Sequence, residues 1–559
     1  MMKKHIIYLL VLGIGAMYAC KDSFLDDEIL TKKVAENYPA TPAEAYEALI
    51  GCYDGLQIIG SNTGFCAISE VLSDNCFGGT GNTDAFNYRM IDRFDKSIAP
   101  SLTNVYESMW GDYYTAINRC NTLIEKLQTI SFKSDSTLKT TYLAEARFIR
   151  AFCYFDLTRL FGKVPLILNT TDAMKNLPRD SVDNIYKAIA EDLIYASKNA
   201  SKDLFIGSTE NGRANRWAAK SLLARVYLFY TGYYGKSDLV GLCTKANALA
   251  GLEEVIANEG DDTNDNSTQY GLVKNYYSLW PAAASYMAAK NKISISKIWT
   301  NDTLYVGEGN KETVFAIKYT YLSNWNGNTD GAHWQVMNGV REQAIKKYGY
   351  GSGWGANTVL PQLYNAFEAN DTRKAASIIA CKEEKTGFSN FSGAREYTGY
   401  YLKKYTPLCD SVGKDLSESK DFGSGVSFML DQFQDYVAIR YSDVLLMAAE
   451  LGSANAQNYF DRVRKRAGLA SVPVTTDAIR AERRFEFVGE GVRYWDLLRY
   501  GLDYAATAIS ISTTVLNGNI EEPLTIDGAN IKTTKGLQQI PLSQITLSGN
   551  TLTQNPGWE

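Results

Sequence analysis

The stretch Ala144-Glu145-Ala146-Arg147-Phe148-Ile149-Arg150-Ala151-Phe152-Cys153-Tyr154-Phe155-Asp156-Leu157-Thr158-Arg159-Leu160 decides the fold. Phe148, Ala151, Phe152 and Phe155 stand at i, i+3, i+4 and i+7, the spacing that lines one face of an α-helix. Its pattern returns further on. Ala146-Arg147, Ala151, Tyr154 and Phe161-Gly162-Lys163 reappear as Ala219-Lys220, Ala224, Tyr227 and Tyr234-Gly235-Lys236, each pair 73 residues apart. That offset is roughly two helix-hairpin repeats of the tetratricopeptide class, in degenerate form. Alanines at matching positions let neighbouring helices approach closely, as stacked hairpins require.

Outward from this stretch, further helices are expected. Thr41-Pro42 caps a helix over 43–56. Residues 105–127 carry Met109, Tyr113, Ile117 and Leu123-Ile124 near one face, and helical patterns also cover 180–197 and 215–230. They return over 442–451, 454–467 and 477–499. Residues 260–425 differ, being rich in Gly, Asn, Asp, Tyr and Trp, with short β-like runs such as 313–321. That composition implies long ordered loops, where binding residues concentrate. The tail from 507 to 559 reads as extended loop. The expected fold is mainly α, a tetratricopeptide-like helical hairpin scaffold with an inserted loop-rich lobe. Its parts are a signal peptide (1–19), a lipidated tether (20–40), the scaffold (41–259), the lobe (260–430), then returning helices and an extended tail (431–559).

The bulk composition excludes several classes. With 559 residues, 45% hydrophobic and 21% charged, and a mean hydropathy of −0.23, the chain is an ordinary globular protein. A net charge of −5 offers no global attraction to nucleic acid. The two histidines are His5 and His333, so a Ser-His-Asp triad or multi-His zinc site is hard to build. No C-x-x-C pair occurs, and neither metal nor cofactor is expected. Cys120 and Cys153 fall in apolar helical patterns and read as core residues. Cys52, Cys66 and Cys76 are near enough in sequence to permit a disulfide, without any pairing being assigned. Residues 261–266 (DDTNDN) begin like a calcium loop, but Ser267 replaces the turn glycine and Val273 the terminal glutamate. They read as a solvated loop.

The N-terminus reads as an address. Lys3 and Lys4 precede an apolar run over 6–19, the form of a secretory signal peptide and too short to span a bilayer comfortably. Residues 17–20 (MYAC) resemble a bacterial lipobox, in which Cys20 is lipidated and becomes the new N-terminus. The charged residues after Cys20 resemble the tether of surface-exported lipoproteins of Gram-negative bacteria. Such a chain is anchored by acyl chains and does not span the membrane.

Five further motifs carry a family resemblance. Residues 144–151 (AEARFIRA) with 160–166 (LFGKVPL) resemble the first signature of the SusD/RagB family, and 212–214 (GRA) with 222–228 (LLARVYL) the second. Residues 439–450 (IRYSDVLLMAAE) are similar to the third, and 483–487 (RRFEF) with 489–499 (GEGVRYWDLLR) to the fourth. Residues 540–542 (IPL) with 554–558 (QNPGW) are similar to the fifth. All five stand in family order. The resemblance implies a non-catalytic outer-membrane lipoprotein that captures glycans, or in some members peptides, for a SusC-like TonB-dependent transporter. The arginines and glutamates of 483–499 read as ion-paired scaffold rather than as the site.

For a glycan, the ligand surface must pair flat aromatic faces with amide, guanidinium and carboxylate groups. Two loop stretches offer this mixture. One runs from Ser73-Asp74-Asn75 through the glycine-rich 78–82 to Asn87-Tyr88-Arg89. The other holds Tyr319, Tyr321, Trp325, His333, Trp334, Tyr348, Tyr350 and Trp354. The expected contacts are Trp325, Trp334, Tyr321, Trp354, Asn75 and Arg89. Rival readings are a RagB-like peptide receptor, a surface glycoside hydrolase with two facing carboxylates, and a generic helical-repeat adaptor.

Overall fold

The computed structural model describes residues 38–559, except 60–63, 81–84, 99–105, 134, 174–175, 322–329, 417–428 and 431. The expected signal peptide, Cys20 and Trp325 lie outside the described residues. Among these residues, eight helices stack in sequence, each against the next. They are α1 (Pro42–Ile59), α2 (Glu107–Thr129), α3 (Ser136–Phe161), α4 (Val182–Asn199), α5 (Arg216–Tyr234), α6 (Lys245–Ile256), α7 (Tyr441–Glu450) and α8 (Ala456–Arg466).

Local chemistry sets their ends. Glu44 N–H donates to Thr41 Oγ1 at 3.2 Å, and Glu44 Oε2 accepts from Ala40 and Thr41 N–H at 2.8 and 3.3 Å. This capping box starts α1, with Pro42 at its first position. Asp135 caps α3 by accepting from Leu138 N–H, and Asn215 caps α5 by accepting from Trp217 and Ala218 N–H. Both helices stop at a glycine with positive φ, Gly162 (68°) and Gly235 (65°), where a side chain would be strained. The repeated sequence pattern thus maps onto α3 and α5. Only α4 lies between them, so 73 residues make one hairpin step with long connections, not two compact repeats.

The core lies between this scaffold and a two-stranded ribbon. Phe315, in the strand Thr313–Ile317, meets Phe148 and Phe152 at ring distances of 4.8 and 5.7 Å. Burying side chains of this size stabilises by about 2–3 kcal/mol each. Thr313–Ile317 pairs antiparallel with Tyr436–Arg440, where the chain returns to α7. Within the inserted lobe, a four-stranded antiparallel sheet has the order Cys76–Phe77, Thr358–Val359, Tyr400–Leu402, Ile378–Ala380. Its first strand comes from the N-terminal region and ties the lobe down.

A buried ion-pair network joins lobe to scaffold. Arg440 Nε donates to Glu490 Oε2 at 2.7 Å, and its Nη1 to Glu312 and Glu486 at 2.5 and 2.9 Å. Arg373, from the lobe, pairs with Asp371 (2.7 Å), Glu482 (2.5 Å) and Glu486 (3.1 Å). Lys404 pairs with Glu490 at 2.6 Å, and Arg466 bonds Glu312 and Glu486. Nearby, Arg483 bridges Asp443 and Asp496. Arg483, Glu486, Glu490 and Asp496 are thus ion-paired scaffold, as expected for residues 483–499.

Two segments differ from expectation. Residues 477–499 form two helices, α9 (Thr476–Glu486) and α10 (Arg493–Tyr500), interrupted where Gly489 and Gly491 take φ of 79° and 72°. The tail is not an extended loop: Ile511–Asn517 and Ile520–Ile526 form a hairpin, followed by helices Ala529–Thr534 and Leu542–Leu547. The hairpin turn is Gly518-Asn519, both with positive φ, as a two-residue turn of right-handed twist requires. The calcium-like loop is closed around an ammonium. Lys311, fully buried, donates from Nζ to the carbonyls of Asp261, Asp262 and Asn264 at 3.2, 2.9 and 3.0 Å and pairs with Asp265 at 3.1 Å. No helix of the described residues is long and apolar enough to cross a membrane.

Candidate functional site

Helix α1 has two faces. Ala45, Leu49, Cys52, Leu56 and Ile59 are buried against the core. On another face Tyr46, Ile50, Tyr53 and Gln57 follow at i, i+4, i+7 and i+11 and line an open groove of 350 Å³. Asp54 joins them. The facing wall is the turn 209–213 and the end of the strand Thr313–Ile317, continued by Lys318, Thr320 and Asp330. Thr320 N–H donates to the Asp330 carbonyl at 2.7 Å, which ties these two wall residues together.

Two signature segments hold the scaffold wall. Glu145, from the first, accepts from Arg213 of the second at 2.6 and 3.1 Å and from Tyr53 O–H at 2.6 Å. Tyr53 Oη in turn accepts from Ala214 N–H at 2.7 Å. Burial leaves Glu145 above the ordinary carboxylate range despite Arg213, and pushes the Tyr53 phenol well up, so that phenol stays neutral. On the lobe side, Lys318 pairs with Asp435 and, at 3.7 Å, with Glu308. Burial alone would lower its pKa; the two carboxylates outweigh it and raise it. Gln57 Nε2 donates to the Lys318 carbonyl at 2.6 Å and bridges the two walls. The groove thus presents two tyrosines, a methyl-rich Ile50 that is 44% exposed, and amide, carboxylate and cationic groups held in place. Such a surface can stack on a ring's C–H face and exchange hydrogen bonds with its hydroxyls.

The residues expected from sequence are dispersed. Trp334 is 1% exposed, wedged edge-on between Tyr405 (5.0 Å) and Tyr436 (5.7 Å). It is a core residue with no free face, and the expectation that it stacks on ligand is corrected. Asn75 is fully buried: its amide donates to Glu70 at 3.2 Å and its oxygen accepts from Arg484 at 3.3 Å. It supports the scaffold rather than a ligand. Arg89 pairs with buried Glu396 at 3.1 Å and donates to Asn517 at 3.4 Å, which fixes its guanidinium between the lobe and the C-terminal hairpin. Trp354 is half-buried, edge-on to His333 at 5.5 Å. Tyr321 is partly exposed. Sequence reading missed the groove face of α1, although its spacing behind the capping box was visible.

A second groove, of 630 Å³, lies between α2 and the helix Leu542–Leu547. Its lining includes Trp110, Tyr114 and Leu547 and no charged side chain. It stands apart from the loops of the lobe.

Comparison with known proteins places the fold. Residues 253–558 match the model of the SusD family, and residues 79–228 match a family described as starch-binding associating with outer membrane. The chain is 25% identical over 527 residues to the SusD-like protein P38 of Formosa agariphila, covering 88% of this chain and 90% of that one. Among solved structures, a laminarin-binding SusD-like protein is 26% identical with a TM-score of 0.68, over 93% of this chain and 100% of the other. Surface glycan-binding protein A from Bacteroides thetaiotaomicron, in complex with laminarihexaose, shares the fold at 22% identity and a TM-score of 0.69, over 92% of this chain and 100% of the other. With five signatures in order, a helical scaffold bearing a loop-rich lobe, and a family match over more than half its length, the chain belongs to the SusD family.

Proposed function

We propose that this protein is a lipid-anchored receptor on the outer face of the outer membrane that captures a glycan. It then hands the glycan to a SusC-like TonB-dependent transporter for import. The observation carrying the reading is the 350 Å³ groove, where Tyr46, Ile50, Asp54 and Gln57 face the turn 209–213 and Lys318, Thr320 and Asp330. Tyr321, which follows Thr320 of the groove wall, and the half-buried Trp354 are further proposed contacts, as is Trp325 from the sequence. The relatives named above bind laminarin and laminarihexaose, which supports a polysaccharide ligand and makes laminarin the first probe. Two of the groove's carboxylates are ion-paired, Asp54 with Arg119 and Glu210 with Arg213. Catalytic hydrolysis needs one carboxylic acid and one free carboxylate facing each other across the bond.

Affinity electrophoresis of soluble residues 21–559 through gels containing laminarin or other polysaccharides tests the proposal, with each sample assayed for released sugar. Retardation by one glycan with no sugar released supports capture. Sugar release would establish hydrolysis instead. No retardation by any glycan, with binding of peptides, would replace the ligand class.

A further inference from the structure

Helices α1 and α2 pack antiparallel and unusually close. A methyl group built on Gly55 would lie 2.8 Å from the Ala116 Cβ, so the two backbones nearly touch there. Four residues back along α1, the Gly51 carbonyl accepts from Arg119 Nη1 at 2.8 Å, three residues forward along α2. The two contacts fix the register. Cys52, three residues before Gly55, then faces Cys120, four residues after Ala116. Both are fully buried and both are free thiols, and after burial it is the nearness of Cys52 that pushes the Cys120 thiol up. Three of the other described cysteines donate to backbone carbonyls instead: Cys66 to Gly489 (3.6 Å), Cys409 to Tyr350 (3.1 Å), and Cys243 to Thr244 (3.6 Å).

A disulfide requires Cα atoms about 4.4–6.8 Å apart, a separation that packed helices with axes about 8–10 Å apart reach only where two residues face each other directly. The Gly55–Ala116 contact supplies that approach one turn away. We infer that Cys52 and Cys120 are a disulfide-forming pair, closed during oxidative folding, that staples the first two helices of the scaffold. The bond locks the helix whose other face lines the groove.

The chemistry balances with a disulfide oxidant such as oxidised glutathione. One cysteine thiolate attacks the oxidant, forming a mixed disulfide and releasing one glutathione thiolate. The second cysteine thiolate then displaces the other glutathione, which leaves with the electron pair of the broken S–S bond. The two protein sulfurs lose two electrons, the oxidant's two sulfurs gain them, and the two thiol protons end on glutathione. Closure must precede burial. In the native fold burial pushes the Cys120 thiol well up, so little thiolate is present and exchange is slow. The finished bond is shielded for the same reason.

The test is to unfold residues 21–559 in urea with reductant and refold them in a mixture of oxidised and reduced glutathione. Remaining thiols are trapped with N-ethylmaleimide under denaturing conditions, and the digest is mapped by mass spectrometry. The expected product is one peptide pair joining Cys52 to Cys120, in a protein lighter by two hydrogens. Its Tm should lie above that of the same chain refolded with reductant. Cys120→Ala should abolish the cross-link, whereas Cys153→Ala, one helix away, should leave it. Full alkylation of both cysteines, pairing of either with another cysteine, or an oxidised form melting no higher than the reduced one would overturn the inference.

Discussion

Replacing Arg440 by methionine removes the cation that touches three carboxylates in the seam between lobe and scaffold. Its guanidinium, 2% exposed, donates to Glu312, Glu486 and Glu490 at 2.5–2.9 Å and to Ser442 Oγ at 2.6 Å. Methionine fills much of the volume but leaves one negative charge uncompensated in the interior. Arg466, Arg373 and Lys404 remain to absorb part of it. Removing one partner of a buried pair costs about 3–5 kcal/mol, and we expect the middle of that range. At a urea slope of about 3 kcal/mol/M, the midpoint should fall by roughly 1 M or more. Acid sensitivity should also move. In the native protein burial opposes ionisation of Glu486, but Arg466, Arg440 and Arg373 overcome it and hold its pKa well below the usual range. A depressed carboxylate contributes stability that is complete above the unfolded pKa and lost as pH falls toward the folded one. Without Arg440 that contribution shrinks, so the variant's deficit should be largest near neutral pH and narrow as pH falls below about 4.5. The assay is urea unfolding followed by far-ultraviolet circular dichroism at pH 7 and pH 4, with Glu490→Gln added to restore charge balance. A loss below about 1 kcal/mol, or a double variant no more stable than the single one, would refute the reasoning.

Other outcomes follow from particular burial and bonding. Trp334→Ala should cost about 3–5 kcal/mol in urea unfolding yet leave ligand affinity of the folded fraction within about twofold, because Trp334 faces Tyr405 and Tyr436. Burial raises Glu70 to about 7, only partly offset by hydrogen bonds from Gly491 N–H and Asn75. The fold therefore holds a proton that the unfolded chain releases above about 4.5, and stability should fall as pH rises from about 4.5 to 7. Glu70→Gln should flatten that slope in Tm measured across this range; an unchanged slope would assign it to other groups. Lys311→Met leaves three carbonyls and Asp265 without their shared donor. We expect a loss of about 2–4 kcal/mol and faster proteolysis within residues 258–274 at a fixed protease concentration.

The helical scaffold was legible because its signals are local. The i, i+3, i+4, i+7 spacing of Phe148 to Phe155 and the Thr41-Pro42 cap act within a few residues, and the structure uses both. The meaning of the 73-residue offset was not local, since it depended on how long the connections around α4 are. The C-terminal hairpin escaped because most side chains of Ile520–Ile526 face solvent, leaving little apolar alternation to read; the Gly518-Asn519 turn was its one strong signal. Site residues were harder still. Tryptophan in a polar, glycine-rich stretch reads the same whether it stacks on ligand or plugs a core. What decided Trp334 was Tyr405, from another part of the lobe, and Tyr436, from the returning strand. The groove face of α1 became visible only once strand Thr313–Ile317 and the turn 209–213 stood opposite it.

The central claim, that this groove holds the glycan, is tested most directly by calorimetric titration of the best-retarded glycan into the native chain, Tyr46→Ala and Ile50→Glu. Tyr46 offers a ring to the groove and Ile50 is exposed on the same helix face, so neither change removes a fully buried core residue. The account requires binding to the native chain and a loss of at least about threefold to tenfold in each variant, the worth of one stacking contact, at unchanged far-ultraviolet dichroism. Native affinity in both variants would contradict it and place the ligand elsewhere on the surface.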